Sequence, residues 1–268
     1  MSAKPFRAPW EFEVKPFQIV EHVYYVGNKN VSAHLFDTGD GLLLLDTTYG
    51  ETAYLLLESI RELGFDPHDI RWIVHTHCHI DHFGATRYLV EKYGSETYLS
   101  KADMPLMTDA VMNWCTEIDL KYEPPYDYYF DVDVEMCHGD MYRFGNIVMR
   151  VYRAPGHTPG TMAFVFELPN GLRVGMHGGI GFNTLSSKYA KEHTLGTAWR
   201  DAFGQTLLSL RELEVDVVLG NHPDQNQTFS KQAAMTATHN PFIEAGGWQR
   251  FLDRVHAEFN EMVKNDPL

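Results

Sequence analysis

Apolar and polar positions along this chain predict strands first and a helix next. Phe17 to Val26 is apolar and aromatic, Val31 to Asp37 is short and extended, and Gly41 to Leu45 is a buried run ending at Asp46. Ala53, Leu56, Leu57 and Ile60 then recur at helical spacing, with Gly64 placed to stop that helix. Trp72 to Val74 predicts a strand, Ala85 to Lys92 a second helix and Glu96 to Leu99 another strand. The rhythm breaks over residues 101–145 and then resumes. Strands are expected at Ile147 to Tyr152, Met162 to Glu167, Leu172 to Met176 and Val215 to Leu219. A helix is expected around Phe203, Leu207 and Leu210, and a last one carries Phe251, Val255, Phe259 and Met262 on one stripe. Strands alternating with helices in two similar halves predict an α/β (α+β) chain whose sheets lie between helix layers.

Within the irregular stretch, Lys121 to Asp133 is acidic and ring-rich, with Pro124 and Pro125 among Tyr122, Tyr126, Tyr128, Tyr129 and Phe130. It reads either as a surface loop packing its own rings or as a lid over a pocket. In the second case Tyr126, Tyr128 or Tyr129 is expected at the pocket mouth.

Composition narrows the function classes. Lys plus Arg is 22 against 36 Asp plus Glu, a formal net charge of −14, and no basic patch interrupts it. Such a surface repels polyphosphate, so neither nucleic acid nor an anionic membrane is an expected partner. No apolar stretch approaches the roughly 18 residues of a membrane span. Met1 to Phe12 lacks the apolar core of a signal peptide, so a cytoplasmic chain is expected. Cys78, Cys115 and Cys137 cannot make a disulfide framework. With no repeat and no linker, residues 1–268 are expected to form a single domain with an aromatic insertion around 101–145.

The histidines change the picture. Thr76-His77-Cys78-His79-Ile80-Asp81-His82 directly follows a buried strand and precedes a helix. In an extended turn His77 and His79 point to one side, because side chains alternate with period two. Asp81 and His82 sit where the chain turns into the helix and can aim at a second point nearby. Imidazole nitrogens with a carboxylate are a donor set for zinc, Fe(II) or Mn(II). His157, in Ala154-Pro155-Gly156-His157-Thr158-Pro159-Gly160, and His222, in Leu219-Gly220-Asn221-His222-Pro223, also follow strands. Open α/β architectures place their sites at the carboxyl ends of strands, so all six side chains are expected at one edge.

These segments resemble the metallo-β-lactamase superfamily of metallohydrolases, over nearly the whole chain from Phe17 to Met262. The closest pattern is the third subclass of metallo-β-lactamases, which Asn221-His222-Pro223 and an Asn240-Pro241-Phe242 opening the final helix resemble. The resemblance implies a four-layer αββα sandwich. It implies a first metal on His77, His79 and His157 and a second on Asp81, His82 and His222, with Asp81 also catalytic. The ions implied are two divalent metals, zinc first, with iron or manganese as alternatives. The implied activity is attack by a metal-bound hydroxide on a cyclic amide, lactone, ester or thioester bond of a small molecule. Two other classes stay open: a mononuclear iron oxygenase of the persulfide dioxygenase type and a non-catalytic metal-binding scaffold.

One departure stands out. Many relatives carry a bridging Asp where this chain has Gly179, so the two metals are expected to share only water or hydroxide, beside a pocket wall free of side chain. His177, two residues earlier, reads as a substitute ligand or as a buried core histidine. His75 and Cys78 read as packing or supporting residues. Asp46 matches the family's strand-terminal Asp and is expected to orient a ligand histidine.

Overall fold

A computed structural model describes residues 8–107 and 127–268. Its first sheet contains β1 (Phe17–Val20), β2 (Val23–Tyr25), β3 (His34–Asp37), β4 (Leu42–Leu45), β5 (Ile70–Val74), β6 (Glu96–Ser100) and β7 (Val134–Met136), in that spatial order. Neighbours are antiparallel from β1 to β4 and parallel from β4 to β7. The second sheet contains β8 (Met141–Phe144), β9 (Ile147–Arg153), β10 (Met162–Glu167), β11 (Arg173–His177) and β12 (Val217–Gly220), ordered β12-β11-β10-β9-β8. Only its β11–β12 pair is parallel. The helices are α1 (Ala53–Glu62), α2 (Ile80–Phe83), α3 (Thr86–Tyr93), α4 (Ser187–Glu192), α5 (Ala198–Leu210), α6 (Thr228–Ala234) and α7 (Gly247–Asn265).

Three apolar clusters stack these elements into an αββα sandwich. The central one joins the sheets: Phe36 of β3 meets Phe166 of β10 with ring centroids 4.4 Å apart. Leu56, Leu57 and Ile60 of α1 and Leu89 of α3 cover the outer face of the first sheet. Phe203 and Leu207 of α5, with Trp248, Phe251, Val255 and Phe259 of α7, cover the second. Covered on both faces, β4 is the unbroken apolar run Leu42–Leu45 rather than an alternating one. Each large side chain so buried stabilises the fold by about 2 kcal/mol before entropy is counted.

The expected elements form, with informative differences. Phe17 to Val26 is a hairpin rather than one strand, because His22 adopts a left-handed φ of 70° at its turn. Residues 101–145 contain two strands that the pattern hides, β7 closing one sheet and β8 opening the other. Asn240-Pro241-Phe242 does not open the last helix, which starts at Gly247 after Gly246 at φ 69°. Asn240 is instead committed to tethering, its Nδ2 donating to the Ile19 carbonyl at 2.6 Å, and Phe242 is buried between the sheets. No helix among the described residues is long and apolar enough to cross a membrane.

Candidate metal centre

The six side chains singled out by the sequence meet where β5, β9 and β12 end. His77, His79 and His157 bring one ligand atom each within 4.8 Å of one another, and Asp81, His82 and His222 do the same. The two groups adjoin, with the His77 and His82 rings 4.3 Å apart. His77 Nε2 stands 3.1 Å from His79 Nδ1. Asp81 Oδ2 stands 3.4 Å from His82 Nε2 and 3.5 Å from His222 Nε2. Donors about 2.0–2.1 Å from a tetrahedral ion lie about 3.3 Å from each other, so both spacings fit a metal.

In four of the five histidines the other ring nitrogen is held from outside, which fixes the tautomer; His79 Nε2 has no such partner among the described residues. His157 Nδ1 donates to the Gly181 carbonyl at 3.0 Å and His222 Nδ1 to the Asn30 carbonyl at 2.7 Å, leaving each Nε2 as a lone-pair donor. Asn30 is available because Asn28 Oδ1 accepts the Asn30 and Val31 amides and folds that loop into a tight turn. His82 Nδ1 donates to Asp46 Oδ2 at 2.8 Å. Thr76 donates its amide to Asp46 Oδ1 and its hydroxyl to Asp46 Oδ2, both at 2.8 Å, while His77 Nδ1 reaches Thr76 Oγ1 at 3.0 Å. Asp46 therefore orients a histidine in each triad, one directly and one through Thr76.

Burial and mutual repulsion keep most of these imidazoles neutral. His77 and His79 lie well below the ordinary histidine pKa, first through burial and then through neighbouring histidines. Burial also lowers His222, and takes His157 down to about 4. His82 is the exception: burial pulls it down, but Asp81 and Asp46 together outweigh that and raise it. Neutral, preoriented imidazoles beside a carboxylate are what a divalent cation needs.

The supporting residues divide as follows. His75 is a buried brace, with Nδ1 on the Tyr98 carbonyl at 2.9 Å and Nε2 on Thr86 Oγ1 at 2.8 Å. His177 joins neither triad; it is buried against Phe203, and its Nδ1 accepts the Gly179 amide at 3.3 Å. The Cys78 side chain points into an apolar cluster with Ile80, Phe83 and Tyr128. Gly179 does not leave an open wall as expected, because the His157 ring fills the space beside it. Nor does Tyr128 reach a pocket mouth: it is buried behind the ligand loop, with its hydroxyl on the Glu51 carboxylate. Tyr122, Tyr126 and Cys115 lie outside the described residues.

Asp103 escaped the sequence reading. It is fully buried just past β6 and accepts hydrogen bonds from Cys78 N at 3.0 Å, Thr158 Oγ1 at 2.7 Å and Gly160 N at 2.7 Å. Burial raises its pKa, and hydrogen bonds from Thr158, Gly160 and Cys78 offset part of the rise. The available signal was positional, since Asp103 follows its strand much as Asp46 follows β4.

A cavity of about 580 Å³ opens beside His222, walled by Ile180 and Phe182 on one part and by Lys29 and Arg254 on another. A larger one, about 710 Å³, lies between α1 and α3, and none of the six candidate ligands lines it.

Residues 26–222 match the profile of the Metallo-beta-lactamase superfamily. The chain is 24% identical over 194 residues to the N-acyl homoserine lactonase AttM of Agrobacterium fabrum, covering 65% of this chain and 66% of that one. It is 26% identical over 226 residues to the probable metallo-hydrolase YqgX of Bacillus subtilis, covering 81% and 94%. Among solved structures, BJP-1, a subclass B3 metallo-beta-lactamase of Bradyrhizobium japonicum, shares the fold with a TM-score of 0.82 at 24% identity, covering 96% of each chain. The chain spans between 48% and 66% of the length of the first curated relatives it matches.

Proposed function

The chain belongs to the metallo-beta-lactamase superfamily, and from that premise we propose that it is a hydrolase, a dinuclear, zinc-dependent enzyme opening a cyclic amide, lactone, ester or thioester bond of a small molecule. The observation that carries this reading is the pair of adjoining three-donor groups, with the His157 and His222 tautomers fixed from outside. His77 Nε2, His79 Nδ1 and His157 Nε2 would hold one ion, and Asp81, His82 and His222 the other. Such ions, when bound, supply Lewis acidity toward a carbonyl and bring the pKa of water toward about 7.

The chain's own residues do the rest. The Gly181 and Asn30 carbonyls hold protons at Nδ1 of His157 and His222, so neither ring turns over. Asp46 keeps His77 and His82 in register with each other. Asp81, with Oδ2 between His82 and His222, is the group able to carry a proton toward the leaving atom. The cavity beside His222 suits a small substrate with an apolar portion along Ile180 and Phe182 and a polar or anionic end near Lys29. Kinship with a lactonase favours a lactone, and the B3 neighbour favours a β-lactam.

A mononuclear iron oxygenase has less support, because a second complete triad stands beside the first. Elemental analysis of metal per chain, followed by a panel of lactams, lactones, esters and thioesters, tests the reading. Two zinc ions per chain with turnover of one of these classes is expected. One iron per chain with oxygen uptake overturns it.

A further inference from the structure

Three loops that are distant in sequence converge on one buried carboxylate. The loop after β5 carries His77 and His79, and the amide of the residue between them, Cys78, donates to Asp103 Oδ2. The β9–β10 loop carries His157, and the next residue, Thr158, donates its hydroxyl to the same oxygen. Gly160 N donates to Oδ1. The directions are fixed around the ring of bonds. Thr161 Oγ1 accepts the Thr158 amide at 2.9 Å, and its hydroxyl donates to Thr158 Oγ1 at 2.7 Å, so Thr158's own proton is free to go to Asp103. The approach is close enough to require glycine at 160: a β-carbon there would stand 2.6 Å from Asp103 Oδ1 and 2.5 Å from Ser100 Oγ. Neither Asp81, His82 nor His222 is attached to this carboxylate by any of these bonds.

We propose that Asp103 is a positioning residue for the first triad, clamping the His77–His79 loop to the His157 loop so that their three ring nitrogens converge on one ion. The inference rests on the reading that this triad holds a metal. All three neighbours donate, so only a carboxylate satisfies them. The isosteric Asp103→Asn cannot: whichever way its amide turns, the NH2 faces the backbone N–H of Cys78 or that of Gly160. Asn should therefore fail nearly as badly as Ala, which a role in filling space does not predict.

The test is metal binding rather than turnover. Metal-free wild type, Asp103→Asn, Asp103→Ala and Thr158→Val are titrated with Zn²⁺ against a chromophoric chelator. His157→Ala and His222→Ala identify each site, and melting of the metal-free proteins reports folding. Loss of about 10–100-fold in affinity at the His157 site in both Asp103 variants, with the His222 site retained, is expected. Thr158→Val, which removes one donor of three, should lose less and stands in should Asp103→Ala not fold. Unchanged affinity in Asp103→Asn overturns the inference alone. Equal loss at both sites with a lowered metal-free melting temperature overturns it in favour of a packing role. A wild type that takes up no zinc overturns the parent reading as well.

Discussion

The imidazole of His157 occupies the space that a side chain at Gly179 would need: a β-carbon on Gly179 would stand 2.7 Å from Cδ2 and 2.9 Å from Cβ of His157. Gly181 presses on the same ring from the other end, its own absent β-carbon lying 3.0 Å from Cε1. The absence of a side chain at 179 is thus coupled to how the third histidine is seated.

Gly179→Ala should therefore weaken metal at the first triad, by about 10–100-fold, because His157 must tilt away from His77 and His79. Gly179→Asp should do no better, since its carboxylate would have to pass the same ring. Zinc titration checks both. Wild-type affinity in Gly179→Ala would mean that the His157 loop yields without disturbing its nitrogen.

Asp81→Ala removes one donor and one negative charge from the second triad while leaving the apolar clusters untouched. Turnover should fall by at least ~10²-fold, with metal per chain dropping toward one and the circular dichroism spectrum unchanged. Near-wild-type rates with full metal content would take Asp81 out of the site.

Much of this was legible in the chain. Helical spacing revealed α1 and α7 because each has one covered face, and most strands showed as short apolar runs because the sheets are covered on both faces. The ligand set was legible because four donors crowd into His77–His82 at the end of a strand. What could not be read depends on tertiary geometry. β7 and β8 are short and pair at sheet edges, where no alternation marks them. Asp103 is one acidic residue in an exposed-looking stretch, and only the meeting of three loops gives it meaning. The open wall expected at Gly179 failed because a glycine says that space is needed, not what fills it.

Asp46 adopts a left-handed φ of 60° and receives three donors from Thr76 and His82. Asp46→Asn tolerates that backbone but removes the charge facing His82 and turns an amide toward one of the donors. A loss of about 3 kcal/mol in the metal-free protein is expected, together with weaker binding at both triads. Urea denaturation and zinc titration measure the two effects. Loss at only one triad would break the claim that Asp46 serves both.

The last prediction concerns His34, which is fully buried on β3 with neither ring nitrogen hydrogen-bonded among the described residues. Burial, opposed only in part by Asp46, lowers its pKa from 6.5 to about 3. The folded chain therefore refuses a proton that the unfolded chain accepts once the pH drops below 6.5. Stability is complete above that value and falls toward pH 3 by about 1.4 kcal/mol per unit for this one group. By pH 5 that is ~2 kcal/mol. His177, also lowered to about 3 by burial, acts in the same direction. His34→Leu removes the titrating group without stranding a partner. It should be as stable as wild type or better at pH 7.5, and its advantage should grow by ~2 kcal/mol at pH 5. Taking the difference between the two proteins cancels the protonation of the six candidate ligands, which both share. Urea unfolding of the metal-free proteins at the two pH values reads it out, and parallel losses in wild type and His34→Leu would show that His34 does not titrate in this window.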